Sequence, residues 1–549
     1  MIPARNWSFQ NRLHGLLGLG LAVWLFAAFC LGLASCGSGA GSSVASSGGG
    51  GGTGPPPPPP AATESLSQAD VQMLVQAAAS AAQTDAIAIA VVDRLGRILA
   101  VYKQPIVQAS LPGNFGSPTP ADELAVGLAR TGAFFSNDQA PLSSRTVRFI
   151  SGIHFPPGVK NTESAALYGI ENTNRGCNLA ASLSATVPPS TTINGSVPSY
   201  GIITGKADVD DSVPNAVNPG GVPIFKNGQE VGGIGVATAN TQLAEYVAFA
   251  AAGMIAMGGP SAVTDGVGFP AFPSPGIVTI AGITLPFVNQ TSPPSGVTPG
   301  MYNAVNFTFG PMASPGVPPE GNLIPVTNGP LGGLTVADVT QIINNAVATA
   351  NTTRAQIRLP IGERAKMVIA VSDLDGTLIG LFRMTDSTIF SIDVAATKAR
   401  NVIYFSGATR QPADLNGVPM GTAVTNRTIG FGAQPFFPSG IDGSSPGPFF
   451  NLYTMDVAHP CTQGLQVPSS AWPMANQSGI VFFPGSEPLF KNGVMVGGLG
   501  VSGDGVDQDD FVTAGGAAGF EPPASIRADQ IVINGVRLPY LKFPRNPTQ

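Results

Sequence analysis

Apolar positions along this chain keep two spacings, one helical and one strand-like, and both spacings occur in two widely separated regions. Val71, Leu74, Val75 and Ala78 predict an amphipathic helix over Ala69 to Ala82. Val339, Ile342, Ile343, Ala346 and Val347 repeat that spacing, and Ser67 and Thr335 stand where each helix wants a side-chain cap. Next come the β-branched runs Ile87 to Val92 and Met367 to Val371, ending at Asp93 and Asp373, each with a glycine three residues on. Ile98 to Tyr102 and Leu378 to Phe382 follow, so strand, tight turn, strand is expected twice. A further helix is expected over Ile392 to Phe405, with Ala395, Ala396, Ala399, Val402 and Ile403 packed inward, and a weaker counterpart over Leu124 to Phe135.

The two regions also share words. Pro223 to Val236 (PIFKNGQEVGGIGV) recurs as Pro488 to Val501 (PLFKNGVMVGGLGV). Asn227-Gly228 and Asn492-Gly493 are the dipeptides favoured in tight hairpins. The glycines that follow predict a strand approached closely by other backbone. They do not predict a phosphate cradle, because no helix opens directly after them. Shorter matches keep the same order: Leu66 to Val71 with Leu334 to Val339, Arg145 to Val147 with Arg427 to Ile429, Phe155-Pro156 with Phe437-Pro438, and Ile283 to Phe287 with Val536 to Tyr540. Repetition at this separation predicts two whole domains of one fold, over residues 63–290 and 331–549, joined by a linker at 291–330. Helices and hairpins alternate without a βαβ rhythm, so each is expected to be α+β with a mainly antiparallel sheet.

Charge narrows the function. Charged residues make up 11% of the chain, the formal net charge is -6, and no Lys/Arg cluster is present, which excludes nucleic acid as the main partner. Arg5 and Arg12 precede an apolar run from Leu16 to Leu33, and Leu33-Ala34-Ser35-Cys36 resembles the bacterial lipoprotein box. Residues 1–36 are therefore expected to be an export signal ending in acylation of Cys36, with an uncleaved membrane anchor as the alternative. Residues 37–62, rich in Gly and Ser and then Pro, read as a spacer with no core. The expected location is the bacterial cell envelope, lipid-anchored on the periplasmic side or at the outer membrane. In an exported body Cys177 and Cys461 either form a disulfide between the two copies or remain two separately buried thiols.

The ordered set Leu334 to Ala350, Val368 to Asp373, Gly376, Leu378, Arg383-Met384, Ser391, Ala395, Lys398-Ala399, Val496 to Gly503 and Gln508-Asp509 resembles the GlcG/HbpS-like domains, also called DUF336 or haem-degrading domains. The resemblance covers most of the second region and, more loosely, the first. It implies a profilin-like α/β/α domain with a five-stranded antiparallel sheet that often oligomerises, and haem or a related tetrapyrrole as the ligand. The second region is the better ligand site, since Lys103 and Leu128 stand in the first where the second has Arg383 and Lys398.

Haem wants an apolar slot, an iron ligand and cations for its carboxylates. Beyond the signal the histidines are His154 and His459, both candidate iron ligands on loops, and Met384 is a weaker one. Arg383, Lys398 and Asp509 are candidate ligand-binding residues, or else members of an internal ion pair. No catalytic residue is assigned. A second reading takes Asp373 and Asp375 for the first motif of haloacid-dehalogenase phosphatases, with Ser406 to Thr409, Lys398 or Lys491, and Asp504 with Asp507 completing it. A third is a non-catalytic module whose Gly- and Pro-rich loops contact an envelope protein.

Overall fold

Ser67 starts the first helix, α1 (Gln68–Ala81), by a reciprocal cap: its hydroxyl accepts from the Asp70 N–H while the Asp70 carboxylate accepts from the Ser67 N–H. The computed structural model describes residues 63–83, 86–113, 118–170, 191–192, 195–196, 219–253, 278–308, 316–459, 461–465 and 478–548. The expected signal and spacer, Cys36 and Cys177 lie outside these residues. Among the described residues no helix is long and apolar enough to cross a membrane.

After α1 come β1 (Ala88–Asp93), β2 (Ile98–Lys103), α2 (Ala121–Phe135), α3 (Ser144–Phe149), β3 (Gly221–Lys226), β4 (Gln229–Ala237), α4 (Thr241–Ala252) and β5 (Phe307–Thr308). The strands form one antiparallel sheet in the order β5-β2-β1-β4-β3. The second half runs β6 (Gly321–Ile324), α5 (Val336–Thr352), β7 (Met367–Ser372), β8 (Leu378–Arg383), α6 (Phe390–Ser406), α7 (Asn426–Gly432), α8 (Phe450–Ala458), β9 (Ser486–Lys491), β10 (Val494–Gly503) and α9 (Val506–Gly516). Its sheet, β6-β8-β7-β10-β9, has the same order and is also antiparallel throughout. Segment 291–330, expected as a linker, supplies β5 to one sheet and β6 to the other.

In each half one sheet face is covered by the first and last helices, α1 with α4 and α5 with α9, which bury Val71, Leu74 and Val75 in one core and Val339, Ile342 and Ile343 in the other. The opposite faces carry α2 and α6 and share a single core, where the rings of Phe135 and Phe390 stack 4.2 Å apart. The repeated glycines permit this layering. A Cβ on Gly235 or Gly500 would meet the carbonyl oxygen of Ala125 or Ala395 at 2.0 and 2.1 Å, so α2 and α6 lie directly on the backbone of the central strands.

Polar groups also cross between the halves. Arg94 reaches Glu230 at 2.5 Å in its own half and Asp386 at 2.6 Å in the other, and Arg358 joins Asp386 at 2.5 Å and contacts Asp504. Burial pushes Glu230 well above the usual carboxylate range. For Asp386 burial acts in the same direction, but the charges of Arg358 and Arg94 overcome it and hold the group at about 2.

Candidate functional site

Arg383, Lys398 and Asp509 are found inside the second half rather than on a ligand-facing wall. Arg383 is 0% exposed; its guanidinium donates to the Ser387 carbonyl and, at 3.2 Å, to the Pro319 carbonyl, which ties down the segment entering β6. Lys398, also 0% exposed, donates to the Asp509 carboxylate at 2.9 Å and to the Val501 carbonyl at 2.8 Å, with its ammonium 4.9 Å from the Phe483 ring centre. Burial raises Asp509 to about 7, against the pull of Lys398. Burial likewise lowers Lys398, against the pull of Asp509. Arg383 and Lys398 donate to internal partners and Asp509 accepts through Oδ2, its Oδ1 being buried without a hydrogen bond, so the ion-pair alternative describes Lys398 and Asp509.

The candidate iron ligands are separated by environment. His154 is 7% exposed and its Nε2 lies 2.7 Å from Asp442 Oδ1, a contact between the halves, with Phe436 stacked beside the ring. His459 is exposed at the end of α8, its backbone N–H bonded to the Met455 carbonyl. Met384 is core filling, and its sulfur accepts from the Met367 N–H. Among the described residues no group of three or more His, Cys, Asp or Glu side chains is arranged to hold a metal. Cys461 is disulfide-bonded, while its expected partner Cys177 lies outside the described residues.

The phosphatase constellation does not assemble. Asp373 accepts from the backbone N–H groups of Leu331, Gly332 and Leu374, and Asp93 does the same for Leu95, Arg97 and Gly316, so both carboxylates organise turns. Ser372 pairs with Gly498 and Met367 with Gly503, which puts Asp373 and Asp504 at opposite ends of β7. Asp504 falls opposite Lys366, seven residues from Asp373, and at ~3.3 Å per residue that is roughly 23 Å. Asp504 and Lys491 are engaged elsewhere, with Arg358 and Asp338.

A cleft of about 540 Å³ opens between the halves. Ile150, Phe155, Tyr168 and Ile280 line it from the first half, and Phe431, Phe482, Phe483 and Val506 from the second. Arg427, Asp507 and Lys542 give it a charged margin. Local structure brings these three together. The Thr425 hydroxyl accepts from the Thr428 N–H to cap α7 and donates to the Tyr540 carbonyl, while the Thr428 hydroxyl donates to Pro539, so the C-terminal segment is pinned to the helix that carries Arg427. Asp510, fully buried on α9, accepts from Arg427 Nε at 2.5 Å and from the Lys542 and Gly485 N–H groups at 2.9 Å. Arg427 Nη2 then reaches Asp507 at 2.6 Å, and Lys542 Nζ reaches the same carboxylate at 3.3 Å.

Sequence reasoning reached this margin only at Asp507, as a member of the phosphatase reading, and missed Arg427 and Lys542. The match between Arg145 to Val147 and Arg427 to Ile429 did point at Arg427, since an arginine follows a helix cap in both. Lys542 and the Phe482-Phe483 pair carried no such signal.

The sequence model of one protein family, described as "Haem degrading protein HbpS-like", matches residues 334–518. No curated protein matches the chain. Solved structures similar to it include PduOC in complex with haem, at 21% identity over 34% of this chain and 93% of that one, with a TM-score of 0.22. The Klebsiella pneumoniae DUF336 protein ORFY is similar at 18% identity over 34% and 88% of the two chains, with a TM-score of 0.22. A Streptomyces reticuli HbpS double mutant is similar at 19% identity over 38% and 97%, with a TM-score of 0.19. Residues 334–518 of this chain form an HbpS-like domain.

Proposed function

We propose that this protein is a lipid-anchored component of the bacterial cell envelope, built as a tandem of two HbpS-like domains, that binds haem or a related tetrapyrrole in the cleft between its halves. The observation that carries the ligand reading is the cleft itself: about 540 Å³, walled by Phe155, Phe431, Phe482 and Phe483, with Arg427 and Lys542 at its margin. Apolar walls with a few convergent polar groups suit a flat amphiphilic ligand. The tandem reading is supported by two sheets of identical strand order, and the anchor by Leu33-Ala34-Ser35-Cys36.

The lining fits the macrocycle better than it fits the iron. Aromatic faces would cover the ring, and the two cations would meet its carboxylates. Among the described lining residues there is no His, Cys or Met, and Tyr168 donates its hydroxyl to the Ala433 carbonyl. Haem, when bound, supplies redox chemistry, whereas this chain's residues supply grip and exclusion of water.

Titration of the full chain with haemin tests the reading. A shift of the Soret band that saturates near one equivalent is expected, weakened about tenfold by Phe431→Ala. Metal-free protoporphyrin IX is expected to bind within about threefold of haemin, because the contacts lie in the ring and its carboxylates. No spectral change with either compound would sink the proposal.

A further inference from the structure

Arg427, Lys542 and Asp507 form a contact that is oddly complete for a site meant to receive an anion. Asp507 stands in the first turn of α9, partly exposed on the cleft wall, and its two oxygens are divided between Arg427 Nη2 at 2.6 Å and Lys542 Nζ at 3.3 Å. Asp510 is differently placed: it is buried, it also accepts backbone N–H groups from Gly485 and Lys542, and it orients Arg427 from behind. One carboxylate therefore belongs to the frame and the other is held only by side chains at the rim. The Lys542 side chain is 60% exposed and can swing from one carboxylate to another with little loss of packing. The exposed Glu163 on the facing wall adds negative charge, so an anion entering without displacing Asp507 would meet two carboxylates.

We infer that Asp507 is a built-in substitute for a carboxylate of the ligand, and that a bound tetrapyrrole displaces it from Lys542 and Arg427. This rests on the reading of the cleft as a tetrapyrrole site. Asp507 then sets selectivity: a ligand bearing carboxylates breaks the internal pairs and replaces them, and a ligand without carboxylates gains nothing at this margin. The Lys542 pair is weak, as exposed ion pairs are, and the part-buried Arg427 pair is exchanged only for another carboxylate in the same place, which makes the exchange reversible.

The test uses protoporphyrin IX and its dimethyl ester as probes of the full chain, followed by fluorescence, in the wild type, Asp507→Asn, Asp507→Ser and Lys542→Met. Both Asp507 variants are expected to bind the free acid about tenfold more tightly, Lys542→Met to bind it about tenfold more weakly, and the ester to respond to none of them by more than about twofold. Circular dichroism checks that each variant is folded, and Asp507→Ser supplies a second, smaller neutral side chain should Asp507→Asn fail that check. If the free acid binds the wild type but the Asp507 variants bind it no better, or if the ester shifts in parallel, the inference is overturned while the tetrapyrrole reading stands. If neither probe binds any variant, both fall together.

Discussion

In the second half Lys398 faces Asp509 across a fully buried gap; at the corresponding positions of the first half stand Leu128 and Ala244, also buried. The pattern recurs. Glu487 accepts from the Tyr540 hydroxyl in the second half, where the first has Val222 and Phe287. Arg94 binds Glu230 in the first half, where the second has Leu374 and Met495. Each exchange replaces both partners. A buried charge left alone costs several kcal/mol, whereas removing both members of a pair can be close to neutral. The two halves thus share one frame and carry different polar inserts, and what differs between them was free to change only pairwise.

The frame itself is retained. Arg145 binds Glu245 at 2.5 Å and Glu245 accepts from the Asn289 N–H, as Arg427 binds Asp510 and Asp510 accepts from the Lys542 N–H. What the second half adds is Asp507 and the Lys542 side chain, where the first has Gln242 and Asn289. The comparison separates support from function better than the charge of any one residue does.

The sharpest way to break this account is Lys398. Lys398→Leu alone is expected to destabilise the fold by about 3–5 kcal/mol, because Asp509 is left buried without its cation. Lys398→Leu with Asp509→Ala, the first half's own solution, should recover to within about 1 kcal/mol of the wild type in denaturant unfolding. If the double variant is no better than the single, the pairwise rule is wrong.

Arg94 tests the same rule where the halves meet. Arg94→Leu is expected to cost about 3 kcal/mol, since Glu230 and Asp138 lose its charge and Arg358 is left as the cation on Asp386. Adding Glu230→Met should return most of that loss, with Asp386 and Asp138 accounting for the remainder.

Glu487 gives a definite pH dependence. Burial raises its pKa to about 8, above the value of an unfolded glutamate, so its contribution to stability is complete below about pH 4 and is lost as pH rises toward 8. Glu487→Gln keeps a polar partner for Tyr540 without the ionisation. It should flatten the stability profile between pH 5 and 8, over which the wild type loses stability, and so exceed the wild type at pH 8. Equal slopes for both proteins would show that Glu487 ionises freely in the fold.

Much of the frame was legible in the sequence because local spacing specifies it. The Ser67 and Thr335 caps, the strands ending at Asp93 and Asp373, and the Asn-Gly hairpins are short-range patterns, and each element formed within a few residues of its expected limits. The glycine runs predict close approach of other backbone, and the backbone that approaches is that of α2 and α6. The charged residues were harder. Lys398 and Asp509 stand far apart in sequence, and nothing local distinguishes a buried pair from a ligand grip. The cleft was invisible for the same reason: its walls come from segments of both halves, the helices α7 and α9 among them, brought together by the shared packing of α2 and α6.

The placement of β5 and β6 governs how the molecule can be divided. A fragment ending at residue 290 would lack Phe307–Thr308 and leave β2 with an open row of backbone donors and acceptors, and one starting at residue 331 would do the same to β8. Bare edges of that kind recruit other strands. Cutting between Thr308 and Gly321 instead leaves each sheet its own border strand, and the surface then laid bare is the core that α2 and α6 share.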